Sequence, residues 1–221
     1  IHCTDRVLQM LDIIIDSQGI SDAIPREGGA IVIANHPFGG ADAINLCSLC
    51  CENRRETKDA KVLANSIVYQ APRFSDFLLP LKILNEKNAK RHNLKTLKSA
   101  ADLVKRGGLL GVFPAGAVSR YRRDLDYTFT DAPWSEHIAR IALKTKAPVI
   151  PIRYFGKTPL WFNALGFIYP LIRAALIPRV LLTMQGQTIR CRAGKPITFE
   201  ELSQADNPTE YLRKAVYQIE L

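Results

Sequence analysis

Two short stretches hold the residues best suited to chemistry. In "NHPFGGAD", His36 and Asp42 stand on either side of Pro37 and the glycines Gly39 and Gly40. An imidazole with an ordinary pKa of about 6.5 can take a proton near neutral pH, provided a neighbour sets its tautomer and steadies the charged form. The two glycines let the chain fold back tightly, which makes Asp42 the obvious neighbour. This spacing suits a His and Asp dyad that activates a hydroxyl or amine on a substrate. It also suits a plain turn whose aspartate caps the next helix.

The second stretch, "GVFPAGAVSRYRR", repeats the form of an apolar run broken by Pro, Gly and small residues. Backbone amides in such a turn can face an anion. Ser119 and Arg120 follow closely, and Arg122 and Arg123 add positive charge suited to phosphate. A solvated basic loop is the competing reading.

Both stretches follow runs that read as buried strands. "AIVIA" has no polar residue and ends at Asn35, as a strand covered on both faces does. "LLGV" precedes Phe113 in the same way, and "PVIPIRYFG" supplies a third such run. "AKVLANSIVYQAP" and "FSDFLLPLKIL" are strand or short-helix candidates. Helical spacing appears at residues 4–18, where Val7, Met10, Leu11, Ile14 and Ile15 share a face, and after Asp42, where Ala43, Leu46, Cys47, Cys50 and Cys51 do. "NLKTLKSAADLVKRGG" groups Leu94, Leu97, Ala101 and Val104 before a glycine stop, and "DAPWSEHIARIALKTKA" places Pro133 near a first turn. "TIRCRAG" alternates like a half-exposed strand, and a polar helix runs from about Pro208. Strands and helices alternate with no repeat or linker. The expected fold is one α/β domain over residues 1–221, a mixed, mostly parallel sheet flanked by helices, with the motif-bearing core at about 25–200. Ligands of such sheets bind beyond the carboxyl ends of the strands, where His36 lies.

Composition narrows the partners. With 30 Lys and Arg against 21 Asp and Glu, the net charge is +9, which favours an anionic partner such as phosphate, nucleic acid or an acidic membrane surface. No nucleic-acid motif or aromatic-basic repeat accompanies that charge, so no nucleic acid is expected. Residues 160–177 are almost wholly apolar, but Gly166 and Pro170 interrupt them, which argues for a buried segment or a membrane-contacting surface over a spanning helix. Trp161, Phe162, Phe167 and Tyr169, flanked by Arg173 and Arg179, would suit an acyl channel or a bilayer interface. The five cysteines form no framework, as expected of a reduced, cytosolic setting, and Cys47, Cys50 and Cys51 lack the second pair that a zinc site requires. No metal is expected, and His92 and His137 read as structural or surface residues. The chain opens on Ile1, as a fragment or processed chain does.

"NHPFGGAD", "FPAGAVSR" and "APVIPI", in this order and at these separations, resemble blocks of the glycerophosphate and lysophospholipid acyltransferase superfamily. The apolar stretch before "GQTIRCRAGKPI" is similar to that of its hemolysin-like, ornithine-lipid-synthesis branch. The resemblance implies an acyltransferase-type fold. It also implies transfer of an acyl chain from an acyl-CoA or acyl-ACP thioester to a hydroxyl or amine of a lyso-lipid or lipid precursor. The thioester is a co-substrate, so no cofactor is implied. His36 would be the general base and Asp42 its orienting carboxylate. Phe113, Pro114, Gly116, Ser119 and Arg120 would shape the acceptor and phosphate site, and direct attack leaves no nucleophilic part for Ser119. Asn35, Gly39, Gly40, Lys82 and Arg122 are further candidate substrate contacts; Arg73, near Lys82, is another basic candidate. The implied partners are a lipid acceptor, an acyl donor, an acyl carrier protein and a membrane surface, met peripherally on the cytoplasmic side.

Two departures stand out. The best-known pattern of the superfamily has four residues between His and Asp, and this chain has five. The superfamily's second block also carries a glutamate beside its glycine, where this chain has Ala115 and Ala117. A chain that keeps the fold and binds lipid without turnover is the alternative function.

Overall fold

An all-apolar strand such as β2 (Ala30–Ala34) can lie only where both its faces are covered, and all five of its residues are buried. In the computed structural model, which describes residues 3–66, 76–82, 88–163 and 176–221, it sits at the centre of a seven-stranded sheet. β5 (Leu109–Val112) pairs with it in parallel on one side, Ala30 opposite Leu109, and β8 (Val149–Phe155) on the other, Ile31 opposite Val149. β3 (Ala60–Asn65) and then β4 (Leu78–Leu81) extend the parallel part to one edge. β9 (Thr188–Ala193) runs antiparallel to β8, and β1 (Ile14–Asp16) pairs in parallel with β9 at the other edge. The single α/β domain and its mixed, mostly parallel sheet are therefore as expected.

The two-residue period of β2 divides the core. Val32 and Ala34 point into one apolar layer with Leu46, Leu49 and Cys50 of α3 (Ala41–Asn53). Ile31 and Ile33 point into the other, with Ala100 and Val104 of α4 (Ala89–Lys105) and Ile138 and Ala142 of α5 (Glu136–Thr145). Each buried Ile or Leu contributes about 1.5–3 kcal/mol through its removal from water. The parallel strands end together, so the loops after β2, β5 and β8 emerge on one side. Between β5 and α5, a two-stranded hairpin of β6 (Arg120–Arg122) and β7 (Thr128–Thr130) stands apart from the main sheet.

Three expectations need correction. The helix expected over 4–18 is α1 (Cys3–Met10) only; Asp12, at φ 52°, takes a left-handed turn, and Ile14 and Ile15 pair with Thr188 and Ile189 instead. β-Branched residues beside the open edge of β9 gain more as a strand than as a further helical turn. Pro133 precedes the N-cap of α5, Ser135, so it lies outside the helix. Leu94 does not share the buried face of α4 but is exposed. Arg73, Phe167, Tyr169 and Arg173 lie outside the described residues. Among the described residues, no helix is long and apolar enough to cross a membrane.

Candidate active site

The end of β2 is held by a side chain acting as backbone. Asn35 donates from Nδ2 to the Tyr154 carbonyl at 2.9 Å and accepts from the Tyr154 amide at Oδ1 at 2.7 Å. This bidentate pair prolongs the register with β8 for one residue beyond the strand, fixing the direction in which His36 departs. Asn35, expected as a substrate contact, is buried and bonded to Tyr154, where it supports the site.

The glycine turn then brings α3 back beneath the histidine. Gly39, at φ 79°, is left-handed, and a Cβ there would lie 2.8 Å from a Val118 methyl. Asp42, in the first turn of α3, is fully buried and accepts at Oδ2 from the Phe38 amide at 2.9 Å and from His36 Nδ1 at 3.1 Å. A carboxylate only accepts, so in the neutral imidazole Nδ1 carries the proton and Nε2 the lone pair. The His36 side chain is 13% exposed, and Nε2 makes no hydrogen bond among the described residues. Phe113 lies against the imidazole, with centroids 4.0 Å apart and planes 23° from parallel, so ring tilt is fixed as well.

The second block reaches the same place from β5. Phe113 and Pro114 are buried, and Gly116, at φ 64°, turns the chain as its amide donates to the Phe113 carbonyl at 3.0 Å. Gly116 and Ala117 are exposed, whereas Ala115 packs against the apolar layer of α4 and α5. Ser119 is buried; its amide donates to the His36 carbonyl at 2.8 Å, and its hydroxyl donates to Asp131 Oδ1. The Ser119 hydroxyl, expected at the acceptor, faces inward here, onto a carboxylate.

Asp131 is the residue that sequence reasoning missed. It is fully buried just after β7, accepts from the His36 amide at 3.3 Å at Oδ1 and from Trp134 Nε1 at 2.9 Å at Oδ2. Its own amide donates to the Tyr217 hydroxyl at 3.0 Å, at the end of α8 (Pro208–Tyr217). In the sequence it opens "DAPWSE", where it resembles any residue at the start of a helix.

The remaining candidates divide by position. Arg120 is exposed beside the Gly116 loop. Arg122 pairs with Asp124 through Nε at 3.0 Å, a contact that holds the Asp124 carboxyl below its usual range, so Arg122 is already engaged. Lys82 follows β4 at the sheet edge, separated from β2 by β3 and β5, and its backbone is clasped by the Asn93 side chain at 2.8 and 2.9 Å. His92 lies against the Pro80 carbonyl at 3.3 Å. Cys47 and Cys50 are buried in the core, and burial pushes the Cys50 thiol far above its ordinary pKa. Among the described residues, no group of His, Cys, Asp and Glu could hold a metal.

The acyltransferase family model matches residues 18–155, which include His36, Asp42, the Gly116 loop and Asp131. A lyso-glycine lipid O-acyltransferase of Bacteroides thetaiotaomicron is 23% identical, aligned over 96% of this chain and 77% of its own. A protein of the same description from Phocaeicola vulgatus is 19% identical over 96% and 75%. The crystal structure of the 1-acyl-sn-glycerophosphate acyltransferase PlsC from Thermotoga maritima superposes with a TM-score of 0.64 at 18% identity, over 96% of this chain and 73% of that one. That likeness establishes the fold.

Proposed function

This chain belongs to the acyltransferase family, and from that premise we propose that it moves a fatty acyl group from an acyl-CoA or acyl-ACP thioester to a lyso-lipid hydroxyl. The observation that carries the reading is the His36–Asp42 pair: Nδ1 is held at 3.1 Å by a buried carboxylate, and Nε2 is left with its lone pair. The acceptor's O–H proton passes to Nε2 as its oxygen attacks the thioester carbonyl. The C–S bond then breaks, and the departing sulfur recovers the proton from the imidazolium. Asp42 steadies the transient positive charge, and Arg120, beside the exposed Gly116 loop, faces the developing oxyanion or a phosphate of either substrate. Donor and acceptor balance the reaction, so no resident cofactor takes part. The Ser119 hydroxyl is committed to Asp131, which supports direct transfer without an acyl-enzyme. Both bacterial relatives named above are described as O-acyltransferases of a lyso-lipid, which favours a hydroxyl over an amine as acceptor.

A peripheral site on the cytoplasmic leaflet fits this reading. Exposed Leu125 and Tyr127 at the hairpin tip, Leu160 and Trp161 after β8, and Leu182 near the Gly40 turn all belong to segments that leave the sheet at the end bearing His36. Lys157 and Arg179 lie among them, as suits an anionic lipid surface. A second reading, lipid binding without turnover, draws on Ala115 and Ala117 where the superfamily carries a glutamate.

The test is to supply the purified protein with acyl-CoA or acyl-ACP and a panel of lyso-lipids and amines. Thiol release should match ester formation one for one and require the acceptor, with no acyl group on the protein by intact mass. Acceptor-independent thiol release with an acylated protein would contradict direct transfer. Lipid binding with no thiol release would establish the second reading.

A further inference from the structure

Asp131 carries an arrangement that the base-and-carboxylate pair does not explain. Asp42 and Phe113 hold the imidazole ring, while Asp131 and Ser119 hold the backbone beneath it. The His36 amide donates to Asp131 Oδ1, and the His36 carbonyl accepts from the Ser119 amide at 2.8 Å. The Ser119 hydroxyl closes the loop onto the same Oδ1. Ser119 and Asp131 are the two residues just outside the first rung of the hairpin, where Arg120 pairs with Thr130. The mouth of the hairpin therefore clasps one residue, and that residue is His36.

We infer that Asp131 is a positioning residue for acyl transfer, fixing through the His36 backbone where the base meets the acceptor hydroxyl. This rests on the reading of His36 as the base. A carboxylate suits the place because it only accepts: the amide, the hydroxyl and the Trp134 indole present three neutral donors at its two oxygens. An asparagine of the same shape cannot satisfy all three. With Oδ1 toward His36 and Ser119, its NH₂ would face the indole N–H; flipped, it would lose the His36 amide. The second arrangement releases the base from its clasp, and a displacement of about 1 Å at a reacting group costs on the order of 10²-fold in rate.

The experiment compares Asp131→Asn, Ser119→Ala and a core control of reduced stability at the opposite end of the sheet, the buried Ile24→Val beside Pro25, with the wild type below all unfolding midpoints. The inference predicts that kcat per folded molecule falls about tenfold or more in Asp131→Asn with donor and acceptor KM little changed, and less in Ser119→Ala. The Asp131→Asn, Ser119→Ala double variant should be no slower than Asp131→Asn, because both changes open one clasp, and Ile24→Val should keep its kcat. If Asp131→Asn does not fold, Ser119→Ala alone decides: a reduced kcat at constant KM supports the inference, and an unchanged kcat overturns it. Asp131→Asn with wild-type kcat per folded molecule overturns it too. His36→Ala is assayed in parallel. If that variant keeps full transfer, the base reading fails and this inference with it; if it is inactive while Asp131→Asn is not, only this inference fails.

Discussion

The two ends of the parallel strands use buried polar groups in opposite ways. Where the strands enter the sheet, Arg54, only 1% exposed, is consumed by structure. It donates to the carbonyls of Pro25 at 2.9 Å and Gly107 at 3.0 Å, to the Gly28 carbonyl, and to Asp59 at 3.3 Å. One guanidinium thus ties together the segments that lead into β2, β3 and β5. Where those strands leave, His36 engages one ring nitrogen and leaves the other uncommitted. A buried polar group with every bond made is an investment in the fold; a neutral one with a lone pair to spare can take a proton from something else.

Substitutions at the two ends should therefore separate activity from stability. The largest effect is expected at Asp42→Asn, which keeps the shape but no longer fixes the Nδ1–H tautomer: kcat should fall about 10²–10⁴-fold with a small change in melting temperature. Arg54→Met should do the reverse, destabilising the fold by about 3–5 kcal/mol in denaturant titration, since the carbonyls and Asp59 lose their shared donor. The fraction still folded should keep its specific activity; a loss of kcat there would erase the distinction between the ends. Gly39→Ala joins both effects. Left-handed backbone costs an alanine about 1–2 kcal/mol, and the Val118 contact must yield, so a lower melting temperature should come with a larger fractional loss of activity.

The smallest effect lies at the edge of the sheet, where Arg192 donates to Asp16 at 3.0 Å and joins β1 to β9. That hydrogen bond and charge lower the Asp16 carboxyl, so its contribution is present above the ordinary carboxylate range and lost as pH falls through the lowered value. Asp16→Asn should lower the melting temperature slightly at neutral pH, and the gap should close in acid; a gap independent of pH would mean that the pair adds nothing.

The central strands and the first half of the site could be read from the chain because they are locally decided. "AIVIA" and "LLGV" are buried whatever surrounds them, and His36 and Asp42 meet through a turn of their own glycines. What escaped depends on distant partners. Ile14 and Ile15 fit a helical stripe equally well, and only the vacant edge of β9 makes them a strand. The β6–β7 hairpin is three residues a side and rich in arginine, so its alternation is submerged in charge. Asp131 acquires its place only when β7 carries it back to Ser119 and His36, a closure that spacing along the chain does not encode. The inward bonds of Asn35 and Ser119 were not legible either, because residue type shows what a side chain can bond and not which way it faces.

The proposed chemistry turns on His36 Nε2, the atom that takes the acceptor proton. Its most direct test is the rate of ester formation by His36→Ala, set beside the wild type with the same thioester and lyso-lipid and with both melting temperatures recorded. Base catalysis by His36 predicts a rate lower by about 10²–10⁴-fold in a protein that melts within a few degrees of the wild type. Full acyl transfer by His36→Ala would contradict it.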